Sequence, residues 1–434
     1  MTRDVQTPPG TALMDGQRLG AFAPGPRGAE FDSARLYVTN DADAAELQHL
    51  LDVARELRPV LRERQQATED AGRYAPDIHE RFWEEGFYRI LQPRALGGLE
   101  LGVAAFFRVV SEIARGCPST GWCLCLGAGH ALQIASYYGE EAQAEVFGAR
   151  GQVVAASSGG GQNMTLVREA GGYRLSGTWR YCSGSPYSTH FLPLVPNPAG
   201  GDAHWLILDR GQFEVLDDWG DVIGMRGSGS NSIRVEGAFV PDRLIIEQSF
   251  NLFHSGDTPG SALHGNPEYG GVFRGFAEGE IAAVAVGLGY AAVDELVAHA
   301  ATKKLRGTGE PKAQHIDFQR ATGLAFATAD SAAALSTSGG RLYRDNARRS
   351  VEGAEPFTTD KALRIASVYF TAERLVWETL DQVMRATGSS EMMRGKRMER
   401  YARDAVTIRS RTDQLEFDAS SVGAAYLLAE QPEA

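Results

Sequence analysis

Gly172-Tyr-Arg-Leu-Ser-Gly-Thr-Trp-Arg-Tyr-Cys-Ser-Gly184 is the stretch on which the reading of this chain turns. Tyr173 and Leu175 alternate with polar neighbours, Ser176-Gly177 has turn chemistry, and Trp179 and Tyr181 resume the alternation. The spacing predicts two short strands joined by a tight turn. Cys182-Ser183-Gly184 then offers small groups and a hydroxyl that can approach a flat ligand, with an aromatic before them for its face. The same residues also suit an ordinary hairpin whose Trp fills a core.

Upstream, the pattern is helical. Leu47, Leu50, Leu51, Ala54, Leu57 and Leu61 recur at three- and four-residue intervals from about residue 41. Further helices are predicted over 76–88, opened by Pro76, over 102–115, over 121–138 with Ser119-Thr120 as cap, and over 140–147. From 151 to 246 the chain changes to short alternating runs punctuated by glycine, which predicts a compact β domain. Residues 247–272 are polar and rich in Gly and Pro, the composition of a functional loop. Helical periodicity then returns over 273–304, 317–349, 358–386 and about 393–428, lengths that suit a four-helix bundle. The predicted organisation is an irregular extension (1–40), an α-helical domain (41–150), a β domain (151–246), an active-site loop (247–272) and a helical bundle (273–434).

Bulk properties narrow the function. With 43 Lys and Arg against 55 Asp and Glu, the 434-residue chain carries a formal charge of −12 and no basic run, which argues against nucleic acid as a partner. No apolar run suggests a membrane span, and residues 1–20 lack the basic-then-apolar pattern of a secretory signal. The four cysteines, Cys117, Cys123, Cys125 and Cys182, are too few for a disulfide framework at this length, so reduced thiols and a cytoplasmic location are expected. None of the nine histidines has metal-ligand spacing to another His or Cys, and no metal site is expected.

Four motifs carry a resemblance. They are Cys117-Pro-Ser-Thr-Gly-Trp122 with His130; Trp179 with Cys182-Ser183-Gly184; Asp218-Trp-Gly…Gly224-Met-Arg-Gly-Ser-Gly-Ser230 with Phe239-Val-Pro241; and Ala386-Thr-Gly-Ser-Ser390 with Arg403-Asp404. In this α–β–α order the chain resembles the acyl-CoA dehydrogenase fold (class α+β: helical domain, β-barrel or sandwich domain, four-helix bundle). Within it, the chain is similar to the p-hydroxyphenylacetate hydroxylase-like flavin-dependent monooxygenases, oxygenase components of two-component systems. The resemblance implies a homo-oligomer, expected to be a tetramer, that takes reduced FMN or FAD from a separate flavin reductase, directly or as diffusing flavin. With O2 the flavin would form a C4a-(hydro)peroxyflavin that hydroxylates a small aromatic or related substrate. N-oxygenation of an amine or amino sugar, and an acyl-CoA dehydrogenase-like reaction on bound FAD, are the alternatives.

The resemblance also implies site roles. Trp122, Leu126 and His130 share one helix face. His130 would be the catalytic base beside the substrate, and Ser183 the hydroxyl near flavin N5, where a donor and a dry pocket guard the oxygen adduct. Trp122, Trp179, Cys182, Ser183, Gly184, Arg226, Ser228, Ser230, Ser389 and Ser390 are the implied cofactor contacts. His130, Tyr181 and Arg411 would bind substrate. A dehydrogenase would need a base, and the Glu-Gly-Thr element that supplies it is missing after Arg403-Asp404. Asp413, Glu278 and Glu280 are the remaining carboxylates considered for that role. A second active-site histidine is also missing, because no His follows His315 and Arg411 falls at its place.

Overall fold

The structure, a computed structural model, describes residues 33–247, 255–410 and 413–429. The first helices are α1 (Asp41–Glu63), α2 (Gln65–Asp70), α3 (Pro76–Glu85), α4 (Val103–Gly116), α5 (Pro118–Tyr137) and α6 (Glu140–Gly148). Asn40 opens α1 by accepting the Asp43 N–H on its side chain, the expected solution for an orphan first-turn donor. Helix α5 begins at Pro118, not Gly121. Pro118 removes one orphan N–H of its first turn, and Ser119-Thr120, expected as the cap, lie inside the helix. Nearly every residue of α5 is buried, so it forms the centre of the helical layer.

Among the described residues nine strands follow: β1 (Ala155–Ser158), β2 (Gly161–Glu169), β3 (Gly172–Trp179), β4 (His190–Val195), β5 (His204–Leu206), β6 (Leu208–Asp209), β7 (Glu214–Val215), β8 (Ile233–Pro241) and β9 (Ile245–Glu247). They make two sheets, one ordered β1-β4-β5-β9 with β6 also on β4, the other β2-β3-β8-β7. The quoted stretch corrects the expected turn. Ser176-Gly177 does not reverse the chain: β3 runs through it as one strand, with the register against β8 shifting between Leu175 and Gly177. The hairpin partner is β2, paired from Gly161↔Trp179 to Glu169↔Gly172. Gly177 is needed because a Cβ there would stand 2.8 Å from the Trp179 ring.

Beyond residue 255, the expected loop holds a short helix α7 (Pro259–His264), whose N-cap Thr258 accepts the Ser261 N–H. The bundle follows as α8 (Arg274–Thr302), α9 (Ile316–Val351) and α10 (Thr359–Thr387), with α11 (Arg397–Arg409) and α12 (Asp413–Ala429) in place of the single last helix expected. Helix α8 packs against α4, α9 and α10. It is long and apolar, and most of its apolar stretch is buried inside the bundle, the character of a core helix. A buried charge network fixes α4 and α1 to α8. Arg115 grips Asp294 with two hydrogen bonds of 2.8 Å, and Arg62 reaches the same carboxylate at 3.2 Å.

Candidate active site

A cleft of about 950 Å³ opens between α5, the sheet that holds β1 and β5, the loops that follow β3 and β7, and the bundle. Helix α5 presents Trp122, Leu126, His130 and Gln133 to it, the single face that helical spacing predicts. Tyr181 and Ser183, just past β3, and Ser157 and Ser158, at the end of β1, form a second wall. The segment 219–230 contributes Trp219, Met225, Ser228 and Ser230, while α8, α10 and α11 close the far side with residues such as Ile281, Phe370 and Ile408.

Two hydrogen-bonded groups face this space. In the first, the Trp122 indole N–H donates to Ser183 Oγ at 2.9 Å, Ser183 Oγ lies 2.7 Å from Ser230 Oγ, and Ser230 Oγ lies 2.7 Å from Ser228 Oγ. Because Trp122 can only donate, it occupies a Ser183 lone pair and leaves the Ser183 proton to point to Ser230 or to a ligand. In the second, His130 Nδ1 lies 2.5 Å from Leu126 O and 2.8 Å from Ala155 O, so this nitrogen carries the proton. Nε2 then holds the lone pair and accepts from Ser157 Oγ at 2.6 Å. Burial pushes the imidazole below its ordinary pKa, against the pull of the two carbonyls, so it is neutral at pH 7.

The structure therefore brings together Trp122, His130, Tyr181, Ser183, Ser228 and Ser230 of the sequence-derived residues. Tyr181 stands exposed at the mouth, at φ +58°, with its ring edge-on to Trp219. Trp179 is a correction. It is fully buried, donates to Leu194 O at 3.3 Å and packs against Phe191, so it fills the β-domain core rather than lining the cleft. Cys182 and Gly184 are also turned away from the cleft. The Cys182 thiol, pushed up to about 12 by burial, donates to Trp179 O, and Gly184 N–H bonds Ser228 O. Strand β3 ends at Trp179, and the left-handed backbone at Tyr181 (φ +58°) breaks its alternation, so Tyr181 and Ser183 face the cleft while Trp179 stays in the core.

Arg226 does not line the cleft, its Nε donating to Val222 O at 2.7 Å. Ser389 and Ser390 sit exposed in a turn after α10, outside the lining. Arg411 and the side chain of Asp413 lie outside the described residues, as do 248–254, and none of residues 255–272 lines the cleft. Glu278 and Glu280 do line it, Glu278 paired with Arg274 at 2.8 Å. Sequence reasoning missed Ser157, Gln133, Trp205 and Glu373 as lining residues. Ser157 is 27 residues from His130, and only the parallel pairing of β1 with β4 beside α5 brings it there. Local sequence spacing carries no such signal.

The lining suits the ring of a flavin: aromatic faces at Trp122 and Trp219, and a row of hydroxyls that can donate or accept at a polar ring edge. Residues 45–150 match the family model for the acyl-CoA dehydrogenase N-terminal domain, and residues 280–412 match that for the C-terminal domain. The flavin-dependent monooxygenase oxygenase subunit HsaA of Rhodococcus jostii is 30% identical over 352 residues, 80% of this chain and 90% of the relative. The chain belongs to the flavin-dependent monooxygenases of the acyl-CoA dehydrogenase fold. The crystal structure of 3-HSA hydroxylase from Rhodococcus sp. RHA1 superposes on this monooxygenase with a TM-score of 0.77 at 26% identity, covering 90% of this chain and 98% of the other. An FADH2-dependent resorcinol hydroxylase, oxygenase component, from a Rhizobium species is 31% identical over 183 residues, 41% of this monooxygenase and 44% of the relative. This monooxygenase is the oxygenase component of a two-component system. It uses reduced flavin from a flavin reductase, together with O2, on a small-molecule substrate.

Proposed function

We propose that this monooxygenase hydroxylates a small phenol, held with its hydroxyl against the Ser157–His130 pair and its ring toward a flavin seated on the Trp122–Ser183–Ser230 row. The observation that carries the reading is that both groups open on one cleft, eight residues apart along one face of α5. Reduced flavin, when bound, supplies the means of activating O2. The protein's own residues then do three things. His130, with its proton fixed on Nδ1, keeps Nε2 free to receive a substrate proton through Ser157, which raises the electron density of the ring carbon to be oxygenated. Ser183, its lone pair taken by Trp122, donates toward the flavin edge. The apolar wall of Ile281, Phe370 and Ile408 keeps water away from both, so that the oxidising equivalent is not lost as hydrogen peroxide.

The FADH2-dependent relative supports FAD over FMN. A homotetramer is part of the proposal, supported by the exposed Tyr426, Leu427 and Leu428 near the end of α12. Aerobic turnover of photoreduced FAD with a phenol panel tests the reading: it requires a hydroxylated product whose yield falls in His130→Ala while flavin binding persists. A second reading, oxygenation at an amine nitrogen, is favoured by the charge of the lining. Among the described charged residues there, Glu278, Glu280 and Glu373 are carboxylates and Arg274 is the guanidinium. Turnover of primary amines but not of phenols would select it.

A further inference from the structure

The segment 224–230 carries Met225, Ser228 and Ser230 into the cleft, yet it belongs to no strand or helix. Its geometry needs an anchor. Met225 sits at φ +56°, a left-handed conformation that a side chain other than glycine adopts only when its surroundings impose it. Its carbonyl closes a turn by accepting the Ser228 N–H at 3.0 Å. The anchor lies on α11: Asp404, 2% exposed, accepts the Met225 N–H on Oδ1 at 2.6 Å. One residue earlier, Gly224 rests on the same helix so closely that a Cβ there would stand 2.1 Å from Arg403 O.

We infer that Asp404 is a positioning residue, whose carboxyl holds segment 224–230 in the conformation that sets Ser228 and Ser230 toward the flavin. This rests on the flavin placement proposed above. The neighbouring charges are engaged with one another. Arg403 and Arg400 both bond Glu69, and Arg403 also reaches Ile223 O. Cys117, before α5, is a further titratable neighbour. Asp404 therefore serves as a backbone acceptor, a role an amide oxygen fills equally well. Burial pushes its carboxyl up to about 7, with Glu69 adding to the rise and the Met225 N–H, Arg403 and Arg400 opposing it.

The test is an anaerobic titration of photoreduced FAD followed by tryptophan fluorescence, with hydrogen exchange of the 224–230 amides measured in the same proteins. Asp404→Asn keeps the acceptor and is expected within about threefold of the wild-type Kd. Asp404→Ala is expected to weaken binding about tenfold, the loss of roughly one buried hydrogen bond, and to speed exchange at Met225. Gly224→Ala, which presses the segment off the Arg403–Asp404 backbone of α11 while keeping the Asp404 carboxyl, is expected to match Asp404→Ala and replaces it if that variant does not fold. Wild-type exchange in both Asp404→Ala and Gly224→Ala overturns the anchor. So does an unchanged Kd in both while Ser230→Ala weakens binding. If Ser230→Ala also leaves the Kd unchanged, the flavin placement fails instead, and faster exchange in the two variants still upholds the anchor.

Discussion

At the residue scale, the chemistry of the cleft depends on which atoms hold protons. His130 is fixed as the Nδ1–H tautomer by two backbone carbonyls, and burial lowers its pKa, so Nε2 remains an acceptor throughout the neutral range. The sign follows: the acceptor is present above the imidazole pKa and is lost as pH falls through it. Product formation is expected to show an acid limb below pH 6.5, the ordinary histidine value, and His130→Asn is expected to abolish that limb. Removing the base altogether, as in His130→Ala, is expected to lower product formation about 100-fold. Ser183→Ala removes a donor and orphans the Trp122 N–H, so a higher yield of hydrogen peroxide per reduced flavin is the expected outcome, read with a peroxidase-coupled assay. His130 and Ser183 were legible as residues because their neighbours form recognisable motifs. Trp179 was misread from the same stretch, since alternation puts it on one face with Tyr181 and Ser183, whereas the left-handed backbone at Tyr181 breaks that alternation and leaves Trp179 in the core. Ser157 was illegible because its role arises from a long-range approach of β1 to α5.

At the element scale, a few buried polar joints tie the helices to one another across the apolar core. Asp294 on α8 receives both Arg115 of α4 and Arg62 of α1. Asp294→Ala is expected to cost about 3–5 kcal/mol, because it strands Arg115 in the core, and denaturant unfolding checks it. Glu268 caps α4 across the chain, its Oε2 accepting the Val103 N–H at 2.7 Å. Burial lifts its carboxyl from the usual 4.5 to about 7. The folded state thus keeps a proton that the unfolded chain releases, and this contribution to stability declines as pH rises through that window. Glu268→Gln is expected to flatten the pH dependence of Tm over the same range. The element order was legible, and most helix positions were too, because long apolar periodicity outweighs local detail. Strand β2 escaped because Gln162, Asn163, Thr165, Arg168 and Glu169 give it polar, exposed character at the edge of its sheet. The Ser176-Gly177 bulge passed for a turn because both devices use the same small residues.

At the scale of the whole molecule, the cleft lies at a junction that no single segment builds: α5, one sheet, the loops after β3 and β7, and three bundle helices each supply part of its wall. That arrangement places the proposed proton acceptor and the proposed flavin contacts on separate supports joined through α5. Substitution at His130 should therefore separate binding of flavin from use of its oxidising equivalent. If Tyr426, Leu427 and Leu428 form a contact between copies, Leu427→Glu with Leu428→Glu is expected to reduce the molecular mass measured by light scattering to that of a smaller species. The most direct test of the central claim is the number of hydrogen peroxide molecules formed per O2 consumed, with photoreduced FAD and a turned-over phenol, for wild type and His130→Ala at equal flavin occupancy. The expected yield is well below one for wild type and close to one for His130→Ala. Equal yields from the two proteins would contradict that claim.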